Sequence, residues 1–266
     1  MNMMKNSIEK IGKLTANTVE ELGYAFVLLL ESLYWLVFGR FNKQAVRVSM
    51  VITQMVQIGV SATPIVVVLC FSVGMMLAIQ GLETLKPYGA QPQVVTGIAL
   101  SITREFSSLI TGIIVAGRSG SAIAARIGTM KETQEVDALQ VIGIDPVRHL
   151  TAPALLAMII VMPVLTVFGD LFGMLGGAVY TLYELSMPIG IYMERSFEVL
   201  TVFDVMQGVI KSVVFAVIIV VVSALNGFQV KGGSEGVGLV TTRSVVMSIS
   251  ALVVVDMVFT FFLTRI

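Results

Sequence analysis

AGRSGSAIAARIGTMKETQEVDALQVIGIDP, residues 116–146, is the one long polar passage in an otherwise apolar chain. It opens with small residues and two arginines, Arg118 and Arg126, suited to close packing and to a membrane boundary. Thr129-Met130-Lys131-Glu132 is a T-x-x-E capping box, which predicts the start of a fresh helix. Val136, Leu139 and Ile142 fall three apart and form a narrow apolar stripe, while Glu132, Glu135 and Asp137 point elsewhere. Gly143 supplies a left-handed stop, and Asp145-Pro146 prevents resumption. A short amphipathic helix between two hydrophobic spans is what a membrane protein presents to a soluble partner. The other reading of the pattern is a solvated loop with one helical turn.

Outward from this passage the chain turns oily. Hydrophobic residues make up 56 % and charged residues 13 %, with a mean hydropathy of +0.92. A soluble domain carries about a quarter charged residues, so the composition predicts an all-α integral membrane protein. The formal net charge is zero, and the single cysteine, Cys70, excludes an intrachain disulfide. No removable signal or transit peptide is expected, because Glu9, Glu20 and Glu21 interrupt the N-terminal basic residues and no compact apolar core precedes a cleavage site.

In chain order, residues 1–47 carry six Lys/Arg around ELGYAFVLLLESLYWLVFGRF. Glu31 shortens its apolar runs, so it reads as an interfacial helix anchored by Tyr24, Tyr34 and Trp35, the rival being a tilted span. Residues 48–266 then read as a single five-span membrane domain. No charge occurs from Val48 to Leu82, the first span, in which Pro64 predicts a kink. Residues 83–92 read as a turn-rich loop. The second span covers about Gln93 to Ala116, the third Ala152 to Tyr180, the fourth Val205 to Phe228 and the fifth Ser244 to Leu263. Residues 181–205 read as acidic and irregular.

Charge bias orients these spans. Twelve Lys/Arg fall on the side of residues 1–47, 117–150 and 231–243, against Lys86, Arg195 and Arg265 opposite. The positive-inside rule places the N-terminus and the polar passage in the cytosol and the C-terminus outside. An odd span count gives no inverted repeat, which argues against a secondary transporter. Gly169, Gly173 and Gly177 make a smooth ridge for helix packing, within the chain or between copies, and Gly117, Ser121 and Ala125 make another.

Catalytic and metal constellations are scarce. His149 is the only histidine, no zinc cluster is present, and no P-loop cradles a nucleotide. Gly117-Arg118-Ser119-Gly120 misses G-x-S-x-G, so an enzyme is disfavoured. What remains is charge within the bilayer: Arg104, Glu105, Asp170, Lys211 and Asp256. Lys211 is expected to pair with Asp170 or Asp256 and staple the bundle. Arg104 and Glu105 are helix neighbours about 100° apart, so one of them is expected to reach a cavity or a polar ligand; an arginine there could hold a phosphate.

Arg104-Glu105, AGRSGSAIAARIGTM (116–130), VDALQVIGIDP (136–146), GVIKSVVF (208–215), TTRSVV (241–246) and Asp256 together resemble the MlaE-type permeases. These are the membrane subunits of MCE-associated ABC transporters, which move phospholipids across the Gram-negative envelope and maintain outer-membrane lipid asymmetry. The resemblance implies an interfacial helix, five spans, a homodimer in the inner membrane and no cofactor on this chain. It also implies a cytoplasmic ATPase carrying ATP and magnesium, a hexameric periplasmic MCE-domain protein and a small accessory subunit, with no nucleic acid. Residues 129–146 correspond to the helix that couples to the ATPase, and Glu132, Glu135, Asp137, Leu139, Gly143, Asp145 and Pro146 are its candidate residues. Arg104-Glu105 corresponds to the lipid pocket. The chain departs from the family in three places. R-E-L-G-P is here Arg104-Glu105-Phe106-Ser107-Ser108, which predicts a straighter helix. The acid of A-A-E-x-G is Arg126, which predicts a compensating acid on the partner. A Pro-Arg pair is Pro153-Ala154, with Arg148 as a substitute. The rival without the resemblance is a stand-alone ion- or solute-coupled carrier.

Overall fold

A computed structural model describes residues 2–39 and 46–263, with side chains from residue 19 onward. Arg40, Lys43 and Arg265, counted above in the charge bias, lie outside the described residues, as do the side chains of Lys5, Lys10 and Lys13. The described chain is helical between short turns, with no strand among the described residues. Its elements are α1 (Asn2–Phe38), α2 (Val48–Leu85), α3 (Gln93–Glu132), α4 (Glu135–Val141), α5 (Val147–Leu185), α6 (Ile189–Val199), α7 (Val202–Phe228) and α8 (Gly233–Leu263). The five expected spans are α2, α3, α5, α7 and α8. By length and composition Val19–Phe38 also qualifies, which makes six candidates among the described residues.

Several boundaries differ from the sequence reading. α3 does not stop at Ala116 but runs to Glu132, so the passage of small residues and arginines is helical and Thr129 lies inside it. Its capping box therefore opens nothing. The break comes at Thr133-Gln134, where Gln134 takes a left-handed φ of 61° and α4 follows. Packing explains the extension, since small residues let this stretch close against α7: a side chain at Gly120 would meet Ser223 and Ile219, and one at Gly227 would meet Ile127. α2 passes unbroken through Pro64 and ends at Leu85, inside the expected loop. The irregular region 181–205 contains the regular helix α6, and α8 begins at Gly233 rather than Ser244.

The core is built on a seam between α2 and α5. A side chain at Gly74 would collide with the Gly173 carbonyl, and one at Gly176 with the Phe71 carbonyl, so the two backbones touch. The predicted glycine ridge is spent inside the chain. Gly169 faces Cys70 and Ser107, Gly173 faces Ile102, and Gly177 faces Ile98 and the Tyr192 hydroxyl. By contrast nothing lies near Gly117. Beside the seam, Leu155, Met158, Met162, Phe215, Ile219 and Leu252 form the main apolar cluster. α1 rides outside with Leu28 and Ser32 buried and most of its apolar side chains exposed. Glu21 meets Arg243 at 2.5 Å, and the Arg148 guanidinium stands 5.5 Å over the Trp35 ring, pinning α1 to the bundle.

Candidate functional site

Arg104 and Glu105 sit in a π turn, Ile102–Phe106, that widens α3 near the end of its first third. Ser107-Ser108, which stand where the family reads Gly-Pro, continue directly as α-helix, and the wide turn before them is a feature that recurs at functional sites. It sends the two neighbouring charges to different partners. Arg104 donates through Nε to Asp204 Oδ1 at 2.6 Å, and its Nη2 makes an ion-pair contact with the same oxygen at 2.6 Å. Asp204 is itself fixed at the start of α7 by a reciprocal capping box with Thr201, whose N–H reaches Oδ2 at 2.8 Å. The positive end of the α7 dipole adds to its anionic stabilisation.

Glu105 turns toward α7 and α8. Its carboxylate accepts from Lys211 at 2.5 Å, and Thr260 Oγ1 lies 3.0 and 3.1 Å from the two carboxylate oxygens. Lys211 is fully buried, 3.0 Å from Asp256 Oδ1 and 3.1 Å from Thr260 Oγ1. An ammonium removed from water is tolerated only with such partners. The expected pairing of Lys211 with Asp256 is therefore present, while that with Asp170 is not. Asp170 is buried beside the α2–α5 seam with Oδ1 lacking a hydrogen-bond partner. The second acid at Lys211 is Glu105, on the wide turn, a partner the sequence reading did not name.

The cluster opens on a cavity of about 250 Å³ lined by Leu100, Ser101, Arg104, Glu105, Gln207, Thr260 and Leu263. Both expected charges line it, and the Arg104 side chain remains 44 % exposed. Two of its five N–H groups are taken by Asp204, which leaves donors for a ligand. Ser101 also borders a second cavity of about 320 Å³ between α2 and α3, lined by Gln80, Thr84, Gln93 and apolar residues. The two therefore flank one helix at the end of the bundle opposite α4. The serines that replace Gly-Pro are both engaged. Ser107 donates to the Thr166 carbonyl at 2.6 Å, and Ser108 to that of Glu105 at 3.1 Å.

At the other end, α4 carries its charges outward. Lys131 pairs with Asp137 at 2.7 Å and Thr133 donates to Glu135 at 2.9 Å, both on the surface. Val136 is buried and Leu139 half-buried. Ile142 does not join the stripe, because it and Val141 stand 68 % and 87 % exposed as an apolar knob. Gly143 has a φ of 79°, and Ile144 N–H returns to the Leu139 carbonyl at 2.8 Å, so the glycine stop is there. Asp145 accepts from the Arg148 N–H at 3.0 Å, and Pro146 sits at the entry to α5, where its missing N–H is not needed. Glu132 closes α3.

Sequence reasoning passed over Asp204 and Thr260. Asp204 had a readable signal, Thr201-Val202-Phe203-Asp204, another T-x-x-acid cap. Thr260 had none. Among the described residues no group of three His, Cys, Asp or Glu is placed to hold a metal.

Residues 51–262 match the family model described as permease MlaE. A probable ABC transporter permease protein of Rickettsia typhi is 35 % identical over 92 % of this chain and 93 % of its own length. One of Synechocystis is 34 % identical over 88 % and 87 %. The intermembrane phospholipid transport system permease protein MlaE of Haemophilus influenzae is 31 % identical over 97 % of each chain. The stand-alone carrier draws no support from these relatives. The chain belongs to the MlaE permease family and is a multi-pass membrane permease.

Proposed function

We propose that this MlaE-family permease passes phospholipid between the inner membrane and a periplasmic MCE-domain shuttle, as one subunit of an ABC transporter that maintains outer-membrane lipid asymmetry. The observation that carries the reading is the half-exposed Arg104 guanidinium, oriented by Asp204 at the edge of a cavity of about 250 Å³. A guanidinium with spare donors suits a phosphate, and the neighbouring Leu100 and Leu263 suit the start of an acyl chain. Glu105 holds the wide turn through Lys211 and bounds the pocket. The relative named for intermembrane phospholipid transport supports the same substrate class.

In this reading the chain is a single MlaE-type domain that binds no cofactor and works as a homodimer. ATP and magnesium act on a separate cytoplasmic ATPase. α4, with Glu135, Asp137 and the Val141-Ile142 knob, docks in that subunit, and Glu132, Leu139, Gly143, Asp145 and Pro146 hold its shape. α1 lies in the interface, the N-terminus is cytoplasmic, and the C-terminus and cavity face the periplasm. A hexameric MCE protein receives or delivers the lipid there, and a small accessory subunit binds the ATPase. The test is mass spectrometry of lipids retained by the purified protein, comparing the wild type with Arg104→Ala/Glu105→Ala. Retention by the first and loss by the second is the expected result. Equal retention removes the pocket from this site, and solute-dependent proton uptake without bound lipid overturns the reading.

A further inference from the structure

At the α4 end, where α2 and α5 both begin, cationic side chains gather around a small cavity. It measures about 70 Å³ and is lined by Val46, Arg47, Met50, Ile144, Arg148 and His149. The charges of Arg47, Arg148 and Arg126 all reach the His149 imidazole. Among the described residues neither Arg47 nor Arg126 has an ion-pair partner. The nearby carboxylate, Asp145, is turned to the cap of α5 and to the neighbouring cavity it shares with Tyr24, Glu31 and Lys131. The like charges of Arg47 and Arg126 repel, and an anion between them removes that repulsion.

We propose that Arg47, Arg148 and His149, with the charge of Arg126 beside them, form a binding site for the phosphate of an anionic phospholipid head group. The volume is about twice a water's share of liquid, room for a phosphate and not for a whole lipid. Val46, Met50 and Ile144 supply the apolar wall an acyl-glycerol backbone would follow. Trp35, under the Arg148 guanidinium, is the aromatic type that settles at the head-group level. Guanidiniums bind phosphate by paired hydrogen bonds. The site is independent of the Arg104 cavity and lies at the opposite end of the bundle.

The experiment uses the full-length protein in nanodiscs of phosphatidylcholine, alone or with phosphatidylglycerol. It reads retained phosphatidylglycerol by native mass spectrometry and the shift in melting temperature. Wild type should retain phosphatidylglycerol and melt higher with it. Arg47→Gln/Arg126→Gln should weaken retention roughly tenfold, as expected for the loss of charge-assisted contacts, with an unchanged circular dichroism spectrum. Arg47→Lys/Arg126→Lys should fall between. Arg104→Ala/Glu105→Ala should lose only the lipid held at its own cavity and keep the phosphatidylglycerol whose retention depends on Arg47 and Arg126, so that the two double variants each remove a different part of the bound lipid. Equal retention by the glutamine variant overturns the proposal. Displacement of the lipid by millimolar inorganic phosphate overturns the lipid source in favour of a soluble oxyanion. Unchanged lipid with loss of a co-purifying ATPase overturns it in favour of an acidic protein surface.

Discussion

The chain places the same kinds of charged residue in two settings. Inside the bundle, Arg104, Glu105, Asp204, Lys211 and Asp256 form a cluster in which every charge meets an opposite one. On α4, the Lys131–Asp137 pair and Glu135 stand at the surface. The interior set cannot lose a member without leaving another stranded in a poor dielectric, so it holds α3, α7 and α8 together. Water and salt screen the surface set, so it holds almost nothing and is free to be read by something else. Burial decides which charges are structure and which are signal.

The largest effect that could break this contrast is Lys211→Ala. It strands Glu105 and Asp256, and it should cost about 3–5 kcal/mol in thermal unfolding of the detergent-solubilised protein. The triple variant Lys211→Met/Glu105→Gln/Asp256→Asn should recover most of that loss; if it melts as low as the single variant, the pairing is not what Lys211 contributes. Next comes Arg104→Gln, which leaves Asp204 its Thr201 cap but removes its cation, for a loss of about 1–3 kcal/mol by the same measurement. An unchanged melting temperature would show that the cap alone satisfies Asp204. Asp170→Asn sharpens the comparison from inside the bundle, since this acid has no cation to lose. Its effect should stay within about 1 kcal/mol, and a larger one would reveal a partner for the carboxylate. The smallest effect on stability belongs to Glu135→Lys/Asp137→Lys, within roughly 0.5 kcal/mol. In the reconstituted transporter the same variant should abolish lipid-stimulated ATP hydrolysis, and unchanged stimulation would strip α4 of its proposed role.

The fold class was legible because hydrocarbon imposes a coarse rule: long apolar runs make helices across it. The list of intramembrane charges was legible for the same reason, as each interrupts such a run. Their pairing was not. Glu105 meets Lys211 from within a π turn, Ile102–Phe106, and no residue pattern announced that wide turn or the contact. The helical character of residues 116–132 was hidden by polarity. Arg118 and Arg126 look like loop residues until Gly120 and Ala124 are seen packed against α7. Asp204 was hidden in plain view, its capping box set aside because its neighbourhood looked irregular.

The seam between α2 and α5 has one more consequence. Where the carbonyls of Gly173 and Phe71 lie against Gly74 and Gly176, no side chain intervenes to flex or change rotamer. Two helices joined in this way translate as one plate, because sliding either past the other drives backbone into backbone. Any rocking during a transport cycle must then pivot elsewhere. α3 offers the compliant places, its two wide turns at Ile102–Phe106 and Ala116–Gly120, one on each side of its middle segment Ser107–Val115. The protein is thus divided into a stiff plank and an articulated rod, with the charged cavity set at the upper joint.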